Sequence, residues 1–468
     1  MSLKPANEVA KGHGTGSSSH ASVLSTFEDA AVDGMTDGEF DDVASGLPMF
    51  YDVDQRRVGD ASVLSAPPKP SPASGNTTTS RSAGITSKLG NAGIAADVAK
   101  DLDSGSLSYA SVLSILEDAA VGGMTASKFS TLQTLASELN TSSGISVSPY
   151  VQQIADDVID GNSANAAWNG GVSTATPLGN LNATSSQTQA DELIGEWFLG
   201  TNLPSLNLAP LGEENLNPTY KASTLPLYGP SGAPTIRDVN QGYLGDCYFL
   251  SALGEVALKD PPAIENMITS NGHGTYGVEF FVNGKPDCMT VNSELPVMSG
   301  YEWANGSQLE FANGTSDDWV DLIEKAYAQL NAQTNAPHGE IGTASDSYAG
   351  IAGGTGAALT MITDQPVTAE TLNSHASAAS LAAAEASLAS SFAAGQELMM
   401  STPPNSNGNL VGDHMYMVAG VNAAAGTVTL LNPWNTAYSG SLAMNFTETI
   451  GQLAADNCTF WVTSGKAV

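Results

Sequence analysis

Two apolar segments near the end of the chain, separated by a four-residue turn, constrain its fold most strongly. The segments MYMVAGVN (415–422) and TVTLLNPW (427–434) are rich in strand-forming residues, and only AAAG lies between them. Such a pattern predicts a β-hairpin. His414 precedes the first strand and Asn432 closes the second, so both residues would lie at the open end of this hairpin. The sequence therefore predicts an imidazole and a side-chain amide close together in space.

A cysteine elsewhere in the chain has a setting that suits chemistry. Cys247 follows QGYLGD and begins a predicted helix, because Leu250, Leu253 and Ala257 would share one face. The N-terminus of a helix carries partial positive charge, which lowers the pKa of a thiol and favours the thiolate. The alternative interpretation is a small buried core residue, as most free cysteines are.

A thiol, an imidazole and an orienting amide are the parts needed for acyl transfer through a thioester. The Asn432 amide oxygen would hold one ring nitrogen of His414, and the other ring nitrogen would face the thiol. Gln241, six residues before the cysteine, could donate its side-chain NH₂ to an oxyanion together with the backbone N–H of Cys247. The alternative is an ordinary strand that begins at His414 and a turn at Asn432-Pro433.

Four segments of the chain, in this order, resemble the signatures of the calpain cysteine proteases: QGYLGDCYFLSAL, DDWVDLIEKAYAQLN, GDHMYMVAGV and LLNPWN. The resemblance covers roughly residues 206–468. It implies a papain-like core with an α-rich lobe, an antiparallel β-rich lobe and a cleft between them. The roles that it implies are nucleophile for Cys247, general base for His414, orienting residue for Asn432, oxyanion donor for Gln241, and a shield against water for Trp434.

The resemblance also raises the question of calcium, although the acyl-transfer chemistry itself needs no cofactor. Asp238 and Asp317 match acidic ligand positions of the family, and carboxylate oxygens are suitable ligands for this cation. Asp317 could instead cap the helix that is predicted to begin at Trp319. The sequence leaves calcium dependence open between these alternatives.

The region before residue 206 has a different pattern. The segment ASVLSTFEDAAVDGMTDGEF (21–40) recurs as ASVLSILEDAAVGGMTASKF (110–129), and a continued helical stripe follows only the second copy. An EF-hand calcium loop is disfavoured in this repeat because Phe40 stands where a bidentate Glu is required, so a helix-turn-helix unit is expected. The expected α+β organisation is a flexible region with a partial repeat at 1–82, an all-α repeat domain at 83–205, and a calpain-like core at 206–468 with a Cys lobe at 206–350 and a His/Asn lobe at 351–468.

The charge and composition of the chain limit the classes of molecule that it is expected to bind. The chain has 15 basic and 48 acidic side chains, a formal net charge of −33, which repels nucleic acids and anionic membranes. No apolar run approaches the roughly 20 residues needed to cross a bilayer, and the N-terminus lacks a cleavable signal pattern. We therefore expect a soluble protein, cytoplasmic or exported without a cleaved signal peptide. Cys288 and Cys458 are expected to be core or surface thiols without a partner.

The hypothesis that follows is a cysteine endopeptidase that acts on protein substrates, with its calcium requirement open. The alternative is a calpain-like protein without catalysis that binds a partner or an export system through its helical repeats. The sequence gives neither the cleavage specificity nor the oligomeric state.

Overall fold

Helices and antiparallel sheets are distributed unevenly along the chain. The computed structural model describes residues 84–102, 105–142, 144–171, 174–213, 216–302, 308–312, 316–334, 346–435 and 444–467. The first repeat copy and the expected flexible region at 1–82 lie outside these residues. The helices are α1 Ala92–Asp101, α2 Tyr109–Ala120, α3 Ala126–Glu138, α4 Pro149–Ile159, α5 Gln187–Ile194, α6 Cys247–Lys259, α7 Pro261–Met267, α8 Trp319–Thr334, α9 Ala358–Thr363, α10 Ala378–Ala393 and α11 Ile450–Ala455. The strands are β1 Ala167–Trp168, β2 Thr176–Pro177, β3 Thr219–Ala222, β4 Ile268–Gly272, β5 Thr275–Val282, β6 Lys285–Asn292, β7 Glu294–Glu302, β8 Gln308–Glu310, β9 Val367–Thr371, β10 Leu398–Ser401, β11 Met415–Asn422, β12 Thr427–Leu431, β13 Asn445–Thr449 and β14 Thr459–Thr463.

The segment before residue 206 is built mainly from capped helices. Helices α2 to α5 each begin after a Ser or Thr whose hydroxyl accepts a backbone N–H of the first turn, which satisfies a donor that the helix leaves open. The second repeat copy spans α2, a turn and the start of α3, and Gly122 and Gly123 in that turn have φ of 76° and 80°. The short β1–β2 pair lies among these helices. The segment is therefore not all-α, which differs from the prediction.

The part of the chain that contains Cys247 is less α-rich than the sequence indicates. Two three-stranded antiparallel sheets, β3-β7-β8 and β4-β5-β6, accompany helices α6 and α8. Strand β5 does not alternate regularly between buried and exposed residues, which is why the period-2 pattern that identifies a half-buried strand is missing. The sheets therefore correct the expectation of an α-rich lobe.

One hydrophobic core joins this part to the preceding helices. The rings of Phe249 in α6 and Tyr327 in α8 stack at 3.9 Å, and Phe280 of β5 packs against the same tyrosine. The Thr290 hydroxyl of β6 donates to the Trp197 carbonyl at 2.5 Å and lies 2.7 Å from the Tyr150 hydroxyl. The buried cluster runs without interruption from the N-terminal helices to α6, across the domain boundary predicted at 205/206.

The last part of the chain forms a separate layer. Its six strands are antiparallel in the order β13-β12-β11-β10-β14-β9, and they enclose a second hydrophobic cluster with α10 and α11. The predicted hairpin is confirmed, since Asn422 pairs with Thr427 and Met417 pairs with Leu431. Strand β12 ends at Leu431, so Asn432 follows it directly.

Candidate active site

Cys247 is the first residue of helix α6, and its neighbours come from the start of β11. The residue is half-buried, whereas Asp246 before it and Tyr248 after it are buried. The Cys247 Sγ accepts the main-chain N–H of Met415, the residue that follows His414, and it also feels the charge of Asp413. The thiol therefore lies against the turn that leads into the histidine strand.

The pKa of the Cys247 thiol differs from the sequence expectation. Burial among protein atoms raises the pKa of Cys247 to about 12, and the nearby Asp246 and Asp413 charges raise it further. The expectation of a lowered pKa at the helix N-terminus is therefore wrong for this form of the protein. Loss of water outweighs the helix dipole, and the thiol holds its proton at neutral pH.

His414 and Asn432 lie together at the open end of the hairpin. The His414 Nε2 is 2.9 Å from the Asn432 Oδ1, and both residues are buried. Because an amide oxygen only accepts hydrogen bonds, this contact assigns the ring proton to Nε2 and leaves Nδ1 as the basic nitrogen. The centroid of the Trp434 ring lies 4.8 Å from that of the imidazole. The main-chain N–H of Trp434 donates to the same Asn432 oxygen. The indole therefore lies next to the imidazole that Asn432 holds, and its role as a shield against water stays a prediction.

Burial also controls the protonation of His414. The pKa of His414 is lowered to about 4 because the buried ring loses its water, and the Asn432 hydrogen bond only partly offsets this effect. Thr402 fixes the main chain at this point, since its Oγ1 accepts the His414 N–H at 3.1 Å and its N–H donates to the His414 carbonyl at 2.9 Å. The pKa of His414 is thus lowered and that of Cys247 is raised, and both changes favour the uncharged forms of the two side chains.

Gln241 links the two parts of the site through its main chain. Its N–H donates to the Pro433 carbonyl at 2.7 Å, and it forms an isolated antiparallel bridge with Ala312. The side chain is fully buried, and its Nε2 donates to the Leu244 carbonyl at 2.7 Å. One amide hydrogen is therefore engaged within the loop before Cys247, and the oxyanion role of Gln241 stays a prediction.

A buried carboxyl pair behind the nucleophile was not identified from the sequence. Asp246 precedes Cys247, and its carboxyl group meets Glu324 of α8, whose Oε2 accepts the Ala312 N–H at 3.0 Å. Burial raises the pKa of Asp246 to about 7 and holds that of Glu324 well above its usual range. We expect the two acids to share a proton, because both Asp246 oxygens and the Glu324 Oε1 are buried without another hydrogen-bond partner. The only sequence signal is a Glu on the apolar stripe of a helix.

Asp238 and Asp317 also come close to each other. The Asp238 charge contributes to raising the pKa of Asp317 to about 6, after burial as the main cause. Asp238 accepts hydrogen bonds from the Thr235 N–H and the Trp319 indole, at 2.7 and 3.0 Å. The buried Asp317 Oδ1 has no hydrogen-bond partner. Carboxylate oxygens are the ligands that a hard cation prefers, so calcium binding by this pair stays a prediction.

The described residues also bear on metal binding and on membrane insertion. Within them, no group of three or more His, Cys, Asp or Glu side chains could hold a metal ion. The same residues include no helix that is both long and apolar enough to span a bilayer. Cys288 and Cys458 are free, buried thiols, and burial raises the pKa of Cys458 to about 12.

Comparison with known proteins agrees with this geometry. Residues 225–449 match the family model of the calpain family cysteine proteases. The calpain-type cysteine protease DEK1 of Zea mays is 33% identical over 140 residues, which are 29% of this chain and 6% of the maize protein. Calpain clp-1 of Caenorhabditis elegans is 33% identical over 125 residues, 25% of this chain and 15% of that protein. The calpain-2 catalytic subunit of Gallus gallus is 28% identical over 131 residues, 26% of this chain and 17% of the subunit.

The matched segments are short relative to these proteins, since the chain spans between 6% and 17% of their lengths. The family match nevertheless contains Cys247, His414 and Asn432 within one continuous range. Residues 225–449 therefore form a calpain family cysteine protease domain.

Proposed function

We propose that the protein is a cysteine endopeptidase in which Cys247, His414 and Asn432 form the catalytic triad. The observation that carries this proposal is the convergence of three groups from separate elements. The thiol at the start of α6 accepts the N–H of Met415, while the adjacent His414 is held by Asn432 at 2.9 Å. A thiol next to an oriented, neutral imidazole is the arrangement that nucleophilic acyl transfer requires.

In the proposed reaction, the Cys247 sulfur attacks the carbonyl carbon of a peptide bond as its proton passes to the Nδ1 of His414. The carbonyl π electrons move onto oxygen, where the second Gln241 amide hydrogen and the Cys247 N–H stabilise the charge. The tetrahedral intermediate collapses, the C–N bond breaks, and His414 gives its proton to the departing amine. A water deprotonated by His414 then attacks the thioester, and the sulfur leaves and recovers a proton.

Calcium dependence is part of the proposal. Asp238 and Asp317 would hold the cation, because their carboxylates face each other and the Asp317 Oδ1 is buried without a partner. The cation would neutralise the repulsion between these acids and tie the loop at Asp238 to the start of α8. The catalytic steps above involve only the protein groups.

The test compares three single variants with the wild-type protein. Cys247→Ala is expected to abolish cleavage of casein, since no other group in the proposed site can form the thioester. His414→Ala is expected to lower kcat by about 10²–10⁴-fold, the usual loss on removing a general base. Cys288→Ala is the matched control and is expected to retain activity, because this thiol packs in β6, away from the site. Casein cleavage that survives Cys247→Ala would refute the proposal.

A further inference from the structure

A glutamate on the nucleophile helix makes hydrogen bonds with the histidine layer. Glu255 lies two turns after Cys247 in α6 and is fully buried. Its Oε1 accepts the Val418 N–H at 2.5 Å, and its Oε2 accepts the Leu398 N–H at 3.2 Å. Val418 lies in β11, four residues after His414, and Leu398 begins the neighbouring strand β10. One carboxylate therefore connects the helix of the thiol to the strand of the imidazole.

The two N–H groups that Glu255 accepts lie where a sheet ladder ends. Strands β10 and β11 pair from Ser401 with Met415 to Met399 with Met417. The next two residues in this register are Leu398 and Val418, and their N–H groups turn to the glutamate. A buried N–H that loses its acceptor destabilises the folded state. The carboxylate thus replaces ladder hydrogen bonds at this end of the pair.

Two further residues of α6 fit the helix closely against the same strand. The Ser251 hydroxyl donates to the Met415 carbonyl at 3.2 Å. At Gly254, an added Cβ would lie 2.1 Å from the Met417 sulfur, so the methionine side chain would have to move to admit a larger residue. Ser251, Gly254 and Glu255 therefore contact three positions of β11 just after His414.

Glu255 lies among other titratable groups. Burial raises the pKa of Glu255 to about 8, and Lys259, one turn further along α6, offsets only part of this increase. The Lys259 ammonium lies 2.9 Å above the Phe392 ring of α10. Glu397, before β10, also faces this pair and binds the Thr463 hydroxyl at 2.6 Å. At the edge of this cluster, the charge of Lys466 lowers the pKa of Lys259, and the charge of Asp260 raises the pKa of Glu397. A buried acid is thus kept next to a cation on its own helix.

We propose that Glu255 is a positioning residue for the peptidase. Its carboxyl group holds β11 in place, and thereby aligns His414 with Cys247. The inference rests on the proposed function, because it concerns the alignment of the same thiol and imidazole. A glutamate that only held two layers together would affect stability, whereas a positioning residue also controls the reactivity of the thiol.

The variants separate these roles by the number of acceptors that they retain. Glu255→Gln keeps one acceptor oxygen and turns an NH₂ toward the other N–H donor, and Glu255→Leu removes both acceptors. Ser251→Ala removes the neighbouring contact without changing Glu255. Glu397→Gln is the matched control, because Glu397 is an equally buried acid that binds the Thr463 hydroxyl and the Ala467 N–H rather than β11.

The first measurement is the kinetics of peptide hydrolysis, below the melting temperature of every variant. We expect kcat to fall about 100-fold in Glu255→Leu, the loss that a shift of about 1 Å between reacting groups causes, and about 10-fold in Glu255→Gln. KM is expected to change little, since Glu255 lies behind the reacting groups. Ser251→Ala should give a smaller decrease in kcat, and Glu397→Gln should keep the wild-type kcat.

The second measurement needs no substrate. The rate at which iodoacetamide alkylates Cys247 is followed against pH, and the part that depends on the imidazole is the difference between wild type and His414→Ala. We expect this part to be reduced in Glu255→Gln and retained in Glu397→Gln. If wild type and His414→Ala react alike, the proposed function fails. If they differ while both Glu255→Gln and Ser251→Ala behave as wild type in kcat and alkylation, the positioning role alone is refuted.

Discussion

The two parts of the protease domain hold their site residues by different means. The part with Cys247 shares its hydrophobic core with the N-terminal helices, and it buries charged groups, among them Asp246, Glu324 and Lys325. The part with His414 and Asn432 has a second core of its own beneath a six-stranded sheet. The position of the nucleophile thus depends on distant segments of chain, whereas that of the base depends mainly on the register of one hairpin.

Lys325 is an example of a buried polar side chain that has a structural role in the first part. Its fully buried ammonium donates to the Asn292 and Glu294 carbonyls and to the Asn292 side chain, at 2.6 to 3.0 Å. These contacts tie α8 to the junction of β6 and β7. Burial lowers the pKa of Lys325 to about 7. In the described residues of the second part, the base is instead clamped by a neutral Thr and a neutral Asn.

The largest predicted effect comes from emptying one core at a time. Trp197→Ala in the shared core and Phe460→Ala in the second core each remove a nearly fully buried ring, which costs about 3–5 kcal/mol of unfolding free energy. Native-state hydrogen exchange should then show faster exchange in both the N-terminal helices and α6 for Trp197→Ala, and in the six-stranded sheet for Phe460→Ala. Identical exchange patterns in the two variants would contradict the division into two cores.

The next effect concerns calcium and should be confined to the first part. Calcium at 100 times its Kd is expected to raise the unfolding free energy by about 2.7 kcal/mol, and excess chelator should remove this increase. Asp317→Asn is expected to abolish the calcium effect because it removes one of the two facing carboxylates. Asp318→Asn is the control, since its carboxylate instead accepts the Ser223 hydroxyl at 2.8 Å. Thermal unfolding and casein cleavage with calcium and with chelator measure both responses, and equal behaviour of the two variants would count against this site.

The smallest effect, counted per pH unit, is a pH dependence that originates behind Cys247. Burial raises the pKa of Asp246 to about 7 and holds that of Glu324 well above its usual range, so the folded state retains protons that the unfolded state releases near pH 4. The unfolding free energy should therefore fall as pH rises from about 4 through 7, by up to about 1.4 kcal/mol per pH unit for each proton concerned.

His414 acts in the opposite direction, so the pair must be isolated by a variant. The pKa of His414 is lowered to about 4, and its contribution to stability therefore rises with pH up to its ordinary value of about 6.5. Glu324→Gln keeps His414 unchanged and gives Asp246 a permanent amide donor. Urea unfolding at several pH values should show a weaker decline in this variant, and an unchanged slope would show that the carboxyl pair does not share a proton.

The two parts of the domain also differ in how much of their structure could be predicted from the sequence. The hairpin, its register and the meeting of His414 with Asn432 were predictable because strand pattern and a short turn are local information. The helix that begins at Cys247 was predictable for the same reason. The two three-stranded sheets were not, because their strands lack a regular alternation that periodicity could detect.

The electrostatics of the site could not be predicted from local pattern. The dipole of α6 is local and favours a thiolate, but the burial that raises the pKa of Cys247 is produced by chain far away in sequence. Glu255 lies within the apolar run LSALGEVAL, where its acceptor role is invisible until β10 and β11 are in place. Tertiary packing, not propensity, decides both features.

The main-chain bond from Gln241 to Pro433 governs how the enzyme could open. It joins the loop before the nucleophile to the residue after Asn432, and the Asn435 amide adds a second tie to the Arg237 carbonyl. Spreading the cleft at this seam would disturb the oxyanion loop and the support of the imidazole in the same movement. If the proposed function holds, a molecule opened at this contact would therefore lose its activity entirely rather than in part.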